Sequence, residues 1–193
     1  MKNQVLVQPS HRHGYDHAVR MVGVEIIEVE TLADLEAGLS DRTAMLLVFG
    51  DAAERGQISV ADMAAAGQRH GVPTFVDAAA ERPDVPNWYL EQGADAVAYS
   101  GGKCLRGPQA SGLVLGRKEL LQAAFLNGAP HHALGRPMKA GKEEIMGLLA
   151  AVARPRGRVA GVGAAARGHR RRSGKVSLGS DASHPARALE CCA

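Results

Sequence analysis

The chain has 193 residues, of which 46% are hydrophobic and only 4% aromatic. That suffices for one domain whose core is built from Ala, Val and Leu, as alternating strand and helix layers tend to be. No apolar run approaches the roughly 18 residues of a membrane helix, no signal-type segment follows Met1-Lys-Asn-Gln, and the three cysteines, two of them adjacent at Cys191 and Cys192, form neither a disulfide framework nor a metal spacing. A cytoplasmic protein with no membrane partner and no metal is therefore expected. The net charge of +3 divides unevenly, with nine Lys/Arg against two acids from Arg154 onward, +7, and −4 in residues 1–153.

Val5-Leu-Val7 reads as a strand that ends before Pro9. The polar run His11-Arg-His-Gly-Tyr-Asp-His17 reads as a turn, and Ala18, Val19, Met21 and Val22 fit one helix face up to Gly23. Val24–Val29 is the next strand. Thr31 with Asp34 marks a helix start, with Leu32, Leu35 and Leu39 as its buried stripe. Thr43–Phe49 is apolar throughout, as a strand covered on both faces would be. Ser59 with Asp62 opens an alanine-rich helix that closes at His70-Gly71. Pro73–Asp77 is a strand ending in a carboxylate, Pro86–Gln92 a short helix, Ala96–Ser100 a strand, Gly112–Leu115 a last strand and Arg117–Phe125 a helix. The alternation predicts an α/β fold, a three-layer α/β/α arrangement around a mostly parallel sheet whose ligands sit outside the carboxyl ends of the strands. His11, Asp77, Ser100 and Lys103 all fall at such ends.

Lys103 follows two glycines at the mouth of the strand Ala96–Ser100. An amine held in a partly desolvated turn is a nucleophile for carbonyls, so a Schiff base with a carbonyl cofactor is one reading; a solvated loop lysine is the plain alternative. Asp77, at the end of a buried strand, needs a cationic or hydrogen-bonding partner. The protonated ring nitrogen of pyridoxal 5′-phosphate supplies one, whereas a helix cap or a solubilising loop residue is the other reading. Ala78, Ala79 and Ala80 are small enough to let a flat ring lie against the backbone, and Ser100 with Gly101 and Gly102 offers a hydroxyl and open amides for a phosphate. A P-loop is excluded because Cys104 follows Lys103.

The ordered set Asp77-Ala-Ala-Ala-Glu81, Gly93-Ala-Asp95, Ser100-Gly-Gly-Lys103, Gly107-Pro-Gln109, Gly112, Gly135-Arg-Pro-Met-Lys139 and Lys142-Glu-Glu144 resembles the selenocysteine synthase-like branch of the fold-type-I pyridoxal-phosphate enzymes. That branch includes L-seryl-tRNA selenium transferase and D-glucosaminate-6-phosphate ammonia-lyase, and the resemblance runs from about Val5 to about Val152. It implies an aspartate-aminotransferase-like large domain in which Lys103 forms the internal aldimine and Asp77 pairs with the pyridine nitrogen. It also implies that Ala79 borders the cofactor, that Ser100 lies near the phosphate, and that a residue of the His11–Tyr15 turn covers the ring, His11 first and His13 next. The activity implied is that of a lyase or transferase acting on an amino acid or amino-sugar phosphate, with a homodimer or larger homo-oligomer as the working form. Arg106 and Arg136 are candidates for a substrate carboxylate or phosphate, and solvated loop arginines are the alternative.

Against the family pattern, the sequence leads us to expect a partial large domain over residues 1–153, truncated at both ends. Residues 154–193 are expected to be a basic, low-complexity, disordered tail of foreign or out-of-frame origin. The alternative function is a catalytically inactive remnant. The basic tail raises RNA binding as well, but it has no aromatic side chain on which bases could stack, which argues against a nucleic-acid partner.

Overall fold

In a computed structural model, which describes residues 1–154, six strands form one sheet: β1 (Gln4–Val7), β2 (Glu25–Glu28), β3 (Thr43–Phe49), β4 (Thr74–Asp77), β5 (Ala96–Ser100) and β6 (Gly112–Gly116). Their spatial order is β2-β1-β3-β4-β5-β6. The first five are parallel and β6 runs antiparallel to β5. Each parallel step is bridged by a helix: α1 (His17–Arg20), α2 (Leu32–Gly38), α3 (Val60–His70) and α4 (Trp88–Glu91). α5 (Lys118–Asn127) and α6 (Lys142–Ala153) follow β6.

Strand alternation sends successive side chains to opposite faces of the sheet. On one face Leu6, Leu46, Val48, Val76 and Val97 meet Leu35 of α2, Met63 and Ala66 of α3, and Tyr89 of α4. On the other face Val5, Val7, Leu47 and Phe49 meet Ala52, with Val19 of α1 and Phe75 against them. Both faces are thus covered as the three-layer expectation requires, the second by less material. The β2 edge is charged through Glu25 and Glu28, which blunts further strand pairing.

The local signals behave as their chemistry dictates. Thr31 and Asp34 form a reciprocal capping box at α2, and the Ser59 hydroxyl accepts from the Asp62 amide at α3. Gly71 ends α3 in the left-handed region, φ 62°. Three helices are shorter than the sequence suggests, α4 covering only Trp88–Glu91 of the expected Pro86–Gln92. α1 stops after Arg20, with Gly23 (φ 84°) turning the chain. α2 is only seven residues long, so of the expected stripe Leu35 alone is fully buried and Leu32 is 43% exposed. The tail assigned to residues 154–193 lies outside the described residues apart from Arg154. Among the described residues no helix is long and apolar enough to cross a membrane.

Candidate active site at the carboxyl edge of the sheet

The order β2-β1-β3 places a topological switch between β1 and β3, where an α/β sheet opens a crevice at its carboxyl ends. A cleft of about 310 Å³ lies there, lined by Ser10, Arg12, His13, Tyr15, Asp51 and Arg55. Its two walls, the turn after β1 and the loop after β3, are fastened by buried side chains. The Gln8 amide donates to Ile58 O and accepts from Ile58 N–H, both at 2.9 Å. Ser10 Oγ donates to Arg55 O at 2.9 Å. His11 Nδ1 accepts the Phe49 amide at 3.1 Å, which leaves the proton on Nε2 to be donated to Arg55 O, also at 3.1 Å. Burial pushes the His11 imidazole below its ordinary pKa of 6.5 and keeps it neutral.

His11 is 1% exposed with both nitrogens engaged. It is a clamp between chain segments, and no ring face of it is open to a ligand. His13 and Tyr15 occupy the accessible side of the same turn. The His13 ring sits edge-on to Phe49, centroids 3.9 Å apart, and to Tyr15 at 5.5 Å. Tyr15 is 71% exposed, and Lys103 Nζ lies 5.8 Å from its ring centroid. The sequence includes Tyr15 in the turn expected to cover a ring but places His11 and His13 ahead of it.

Strand register completes the arrangement. Phe49, Asp77 and Ala98 are partners across β3, β4 and β5. Beyond them the turns after β4 and β5 are bonded to each other: Ala78 N–H donates to Ala98 O at 2.9 Å, Ser100 N–H to Ala79 O at 3.3 Å, and Cys104 Sγ to Ala80 O at 3.1 Å. Asp77 and Lys103 therefore project from adjoining turns. A circuit of contacts runs from Lys103 through Tyr15, His13 and Phe49 to Asp77, then back through Ala78–Ala80 and Cys104. One oxygen of Asp77, Oδ1, accepts the Ala79 amide at 3.0 Å. Among the described residues Asp77 Oδ2 and Ser100 Oγ have no hydrogen-bond partner, and Lys103 has no ion pair.

The glycine pair does something other than the sequence suggests. Gly101 N–H is taken by Ser111 O at 2.8 Å, and Gly101 O accepts from Gly107 N–H at 2.7 Å. A side chain at Gly101 would overlap Ser111 Oγ, and one at Gly102 would overlap the Gln109 amide. These residues let the chain return tightly on itself, which corrects the expectation of open amides at Gly101. Lys103 rides at the exposed tip of that loop, where Arg106 N–H donates to Lys103 O at 2.8 Å and Arg106 adopts φ 55°. Arg106 is exposed beside Lys103, whereas Arg136 is half-buried in a 3-10 turn, Arg136–Met138, some thirty residues further on.

Comparison with known proteins gives the family. The family model described as aminotransferase class-V matches residues 10–140. D-glucosaminate-6-phosphate ammonia lyase of Salmonella typhimurium (strain 14028s / SGSC 2262) is 35% identical over 163 residues, covering 79% of this chain and 42% of that protein. A 5′-C-glycyluridine monooxygenase-decarboxylase of a Streptomyces species is 34% identical, covering 78% and 39%. The L-seryl-tRNA(Sec) selenium transferase of Serratia proteamaculans (strain 568) is 28% identical, covering 68% and 32%. A solved structure of D-glucosaminate-6-phosphate ammonia-lyase superposes with a TM-score of 0.70 at 34% identity, over 79% of this chain and 42% of that one. The chain thus spans about two fifths of the length of the first relatives it matches. With the matched region running from the turn after β1 through every strand of the Asp77–Lys103 edge, the chain belongs to the aminotransferase class-V family.

Proposed function

We propose that this chain holds pyridoxal 5′-phosphate between Asp77 and Lys103 and forms part of a lyase or transferase acting on an amino acid or amino-sugar phosphate. One observation carries the reading. The segments that follow β4 and β5 are hydrogen-bonded to each other, Ser100 N–H to Ala79 O and Cys104 Sγ to Ala80 O, which supports placing Asp77, at the end of β4, and the exposed Lys103 side by side at the carboxyl edge, with Asp77 Oδ2 and Ser100 Oγ unpaired among the described residues. The residues fit the group. Asp77 Oδ2 is an open acceptor for a protonated ring nitrogen, Ala79 adds no bulk beside it, and Ser100 Oγ is an open donor for a phosphate oxygen.

Bound there, pyridoxal phosphate supplies an aldehyde for an amine and a cationic ring that draws electrons from the substrate. The chain's own residues do the rest. Asp77 keeps a proton on the ring nitrogen. Lys103 would hold the aldehyde end and, once released, move a proton at the substrate α-carbon. His13 or Tyr15, and not the buried His11, covers the ring face. Arg106, beside Lys103, is the nearer candidate for a substrate carboxylate or phosphate, with Arg136 a second. We extend the proposal to a homodimer or larger homo-oligomer in the cytoplasm, measurable by light scattering.

The test is spectroscopic. The purified chain is mixed with pyridoxal phosphate, its near-visible absorbance recorded, and the adduct fixed with borohydride and located by mass spectrometry. A band that disappears in Lys103→Ala, with the label on Lys103, is the expected result. A colourless mixture, or label spread evenly over Lys118, Lys139 and Lys142, would overturn the reading.

A further inference from the structure

The interior of α6 contains a glycine, Gly147, at a position where alanine is the better helix former because glycine loses more backbone freedom on folding. The contact on that side of the helix accounts for it. A Cβ at Gly147 would stand 2.6 Å from Pro108 Cγ and 3.2 Å from Pro108 Cδ, atoms of a ring that is tied to the backbone and cannot swing aside. One residue along, Leu148 packs against Gly107, where an added Cβ would lie 3.2 Å from Leu148 Cδ1 and 3.4 Å from its Cα. Here two glycines, one on each partner, allow a helix and a loop to meet almost backbone to backbone.

The loop that α6 meets is the one that presents Lys103. Gly107 N–H donates to Gly101 O at 2.7 Å, Gly101 N–H to Ser111 O at 2.8 Å, and Ser111 Oγ to Pro108 O at 2.6 Å. Pro108 and Gly107 therefore form the back of a closed loop with Lys103 on its front. Most of the rest of α6 makes no such contact, and Ile145, Met146, Leu149 and Val152 are all exposed.

We propose that Gly147 is a positioning residue for Lys103: α6, seated on Pro108 through Gly147, holds the 101–111 loop in the shape that sets Lys103 beside the Asp77 turn. This rests on the assignment of Lys103 as the cofactor lysine, but its first readout does not need the cofactor. A glycine that merely weakens a helix predicts that Gly147→Ala improves the protein. Seating on Pro108 predicts the opposite.

The experiment compares the chain with Gly147→Ala, Pro108→Ala and the double variant. Amide exchange is followed at Gly101 and Gly107 without cofactor. Borohydride trapping of pyridoxal phosphate at Lys103 is measured relative to Lys139. In Gly147→Ala, exchange at both glycines should quicken by about tenfold or more, the scale of a local opening, and Lys103 trapping should fall relative to Lys139. Removing the proline ring should restore both in the double variant to the level of Pro108→Ala alone. If Gly147→Ala does not fold, the double variant against Pro108→Ala still decides. Unchanged exchange in Gly147→Ala, or no recovery in the double variant, overturns the inference. Failure of the original chain to trap cofactor at Lys103 would instead sink the proposed function, and the exchange data would still judge the role of α6.

Discussion

Removal of the His11 imidazole should cost the scaffold heavily for the few atoms lost. His11→Leu keeps an apolar volume in the site but leaves the amide of Phe49, a residue only 3% exposed, without an acceptor. It also deprives Arg55 O of one of two donors, the other being Ser10 Oγ. An orphaned buried amide costs about 1–3 kcal/mol and the lost second bond about 1 kcal/mol, so the total is about 2–4 kcal/mol. That is a large share of the roughly 5–15 kcal/mol a domain possesses. His11→Asn is the graded control, because its Oδ1 can accept where Nδ1 did, so its loss should be smaller. Acid provides the second axis. The folded imidazole titrates below its ordinary value of 6.5, so the unfolded chain binds the proton more readily. This contribution is intact above about pH 6.5 and is lost as the pH falls from there through the folded pKa. Urea denaturation across that window should therefore show stability falling on acidification in the original protein, with the His11 component of the slope gone in both variants. A His11→Leu protein within about 0.5 kcal/mol of the original, the scatter of ordinary surface changes, or an unaltered pH slope, would refute the reasoning.

Two further outcomes follow from the same accounting. Asp95, its side chain 8% exposed, accepts from the Thr74 amide at 2.8 Å and from Arg117 Nη1 at 3.0 Å. Asp95→Ala should cost about 2–4 kcal/mol by urea titration through the lost buried acceptor, and a change below about 0.5 kcal/mol would contradict that. Asp77→Asn and Lys103→Met, measured singly and together without cofactor, should show a coupling in stability below about 0.5 kcal/mol, because the two charges form no ion pair. They should be strongly coupled in cofactor retention, and a large coupling in the free protein would mark them as a structural pair instead.

Local chemistry made most of the scaffold legible. Thr31 with Asp34 and Ser59 with Asp62 announced two helix starts. The apolar run Thr43–Phe49 and the run Ala96–Ser100 matched strands residue for residue. Asp77 and Lys103 were readable as strand-end residues for the same reason, since a strand boundary is a local property. What stayed hidden was set by partners far along the chain. His11 bonds to residues 38 and 44 positions away, and Gln8 to one 50 positions away. Nothing in the polar run His11–His17 announces which of its histidines is buried. Gln8, a polar residue placed directly after Val5–Val7, was the available hint that the end of β1 continues inward. The glycines of the Lys103 loop misled for a related reason: a close backbone approach and an open phosphate cradle call for the same residue type, and only the position of Ser111 distinguishes them.

The separation of Asp77 and Lys103 is itself informative. Opposite charges on neighbouring segments attract, and an exposed ion pair between them would gain at most about 1 kcal/mol. Here Asp77 turns one oxygen toward the Ala79 amide and Lys103 lies over the Tyr15 ring, so the pairing is not made. The surrounding contacts explain how that spacing is kept. The turn after β4 is tied to the loop after β5 through Ala79, Ala80 and Cys104, the turn after β1 is tied to the loop after β3 through Gln8, Ser10 and His11, and α6 presses on the loop from behind at Pro108. On the function proposed above, a carboxylate and an amine kept unpaired on supports tied in this way would hold opposite ends of one bound molecule.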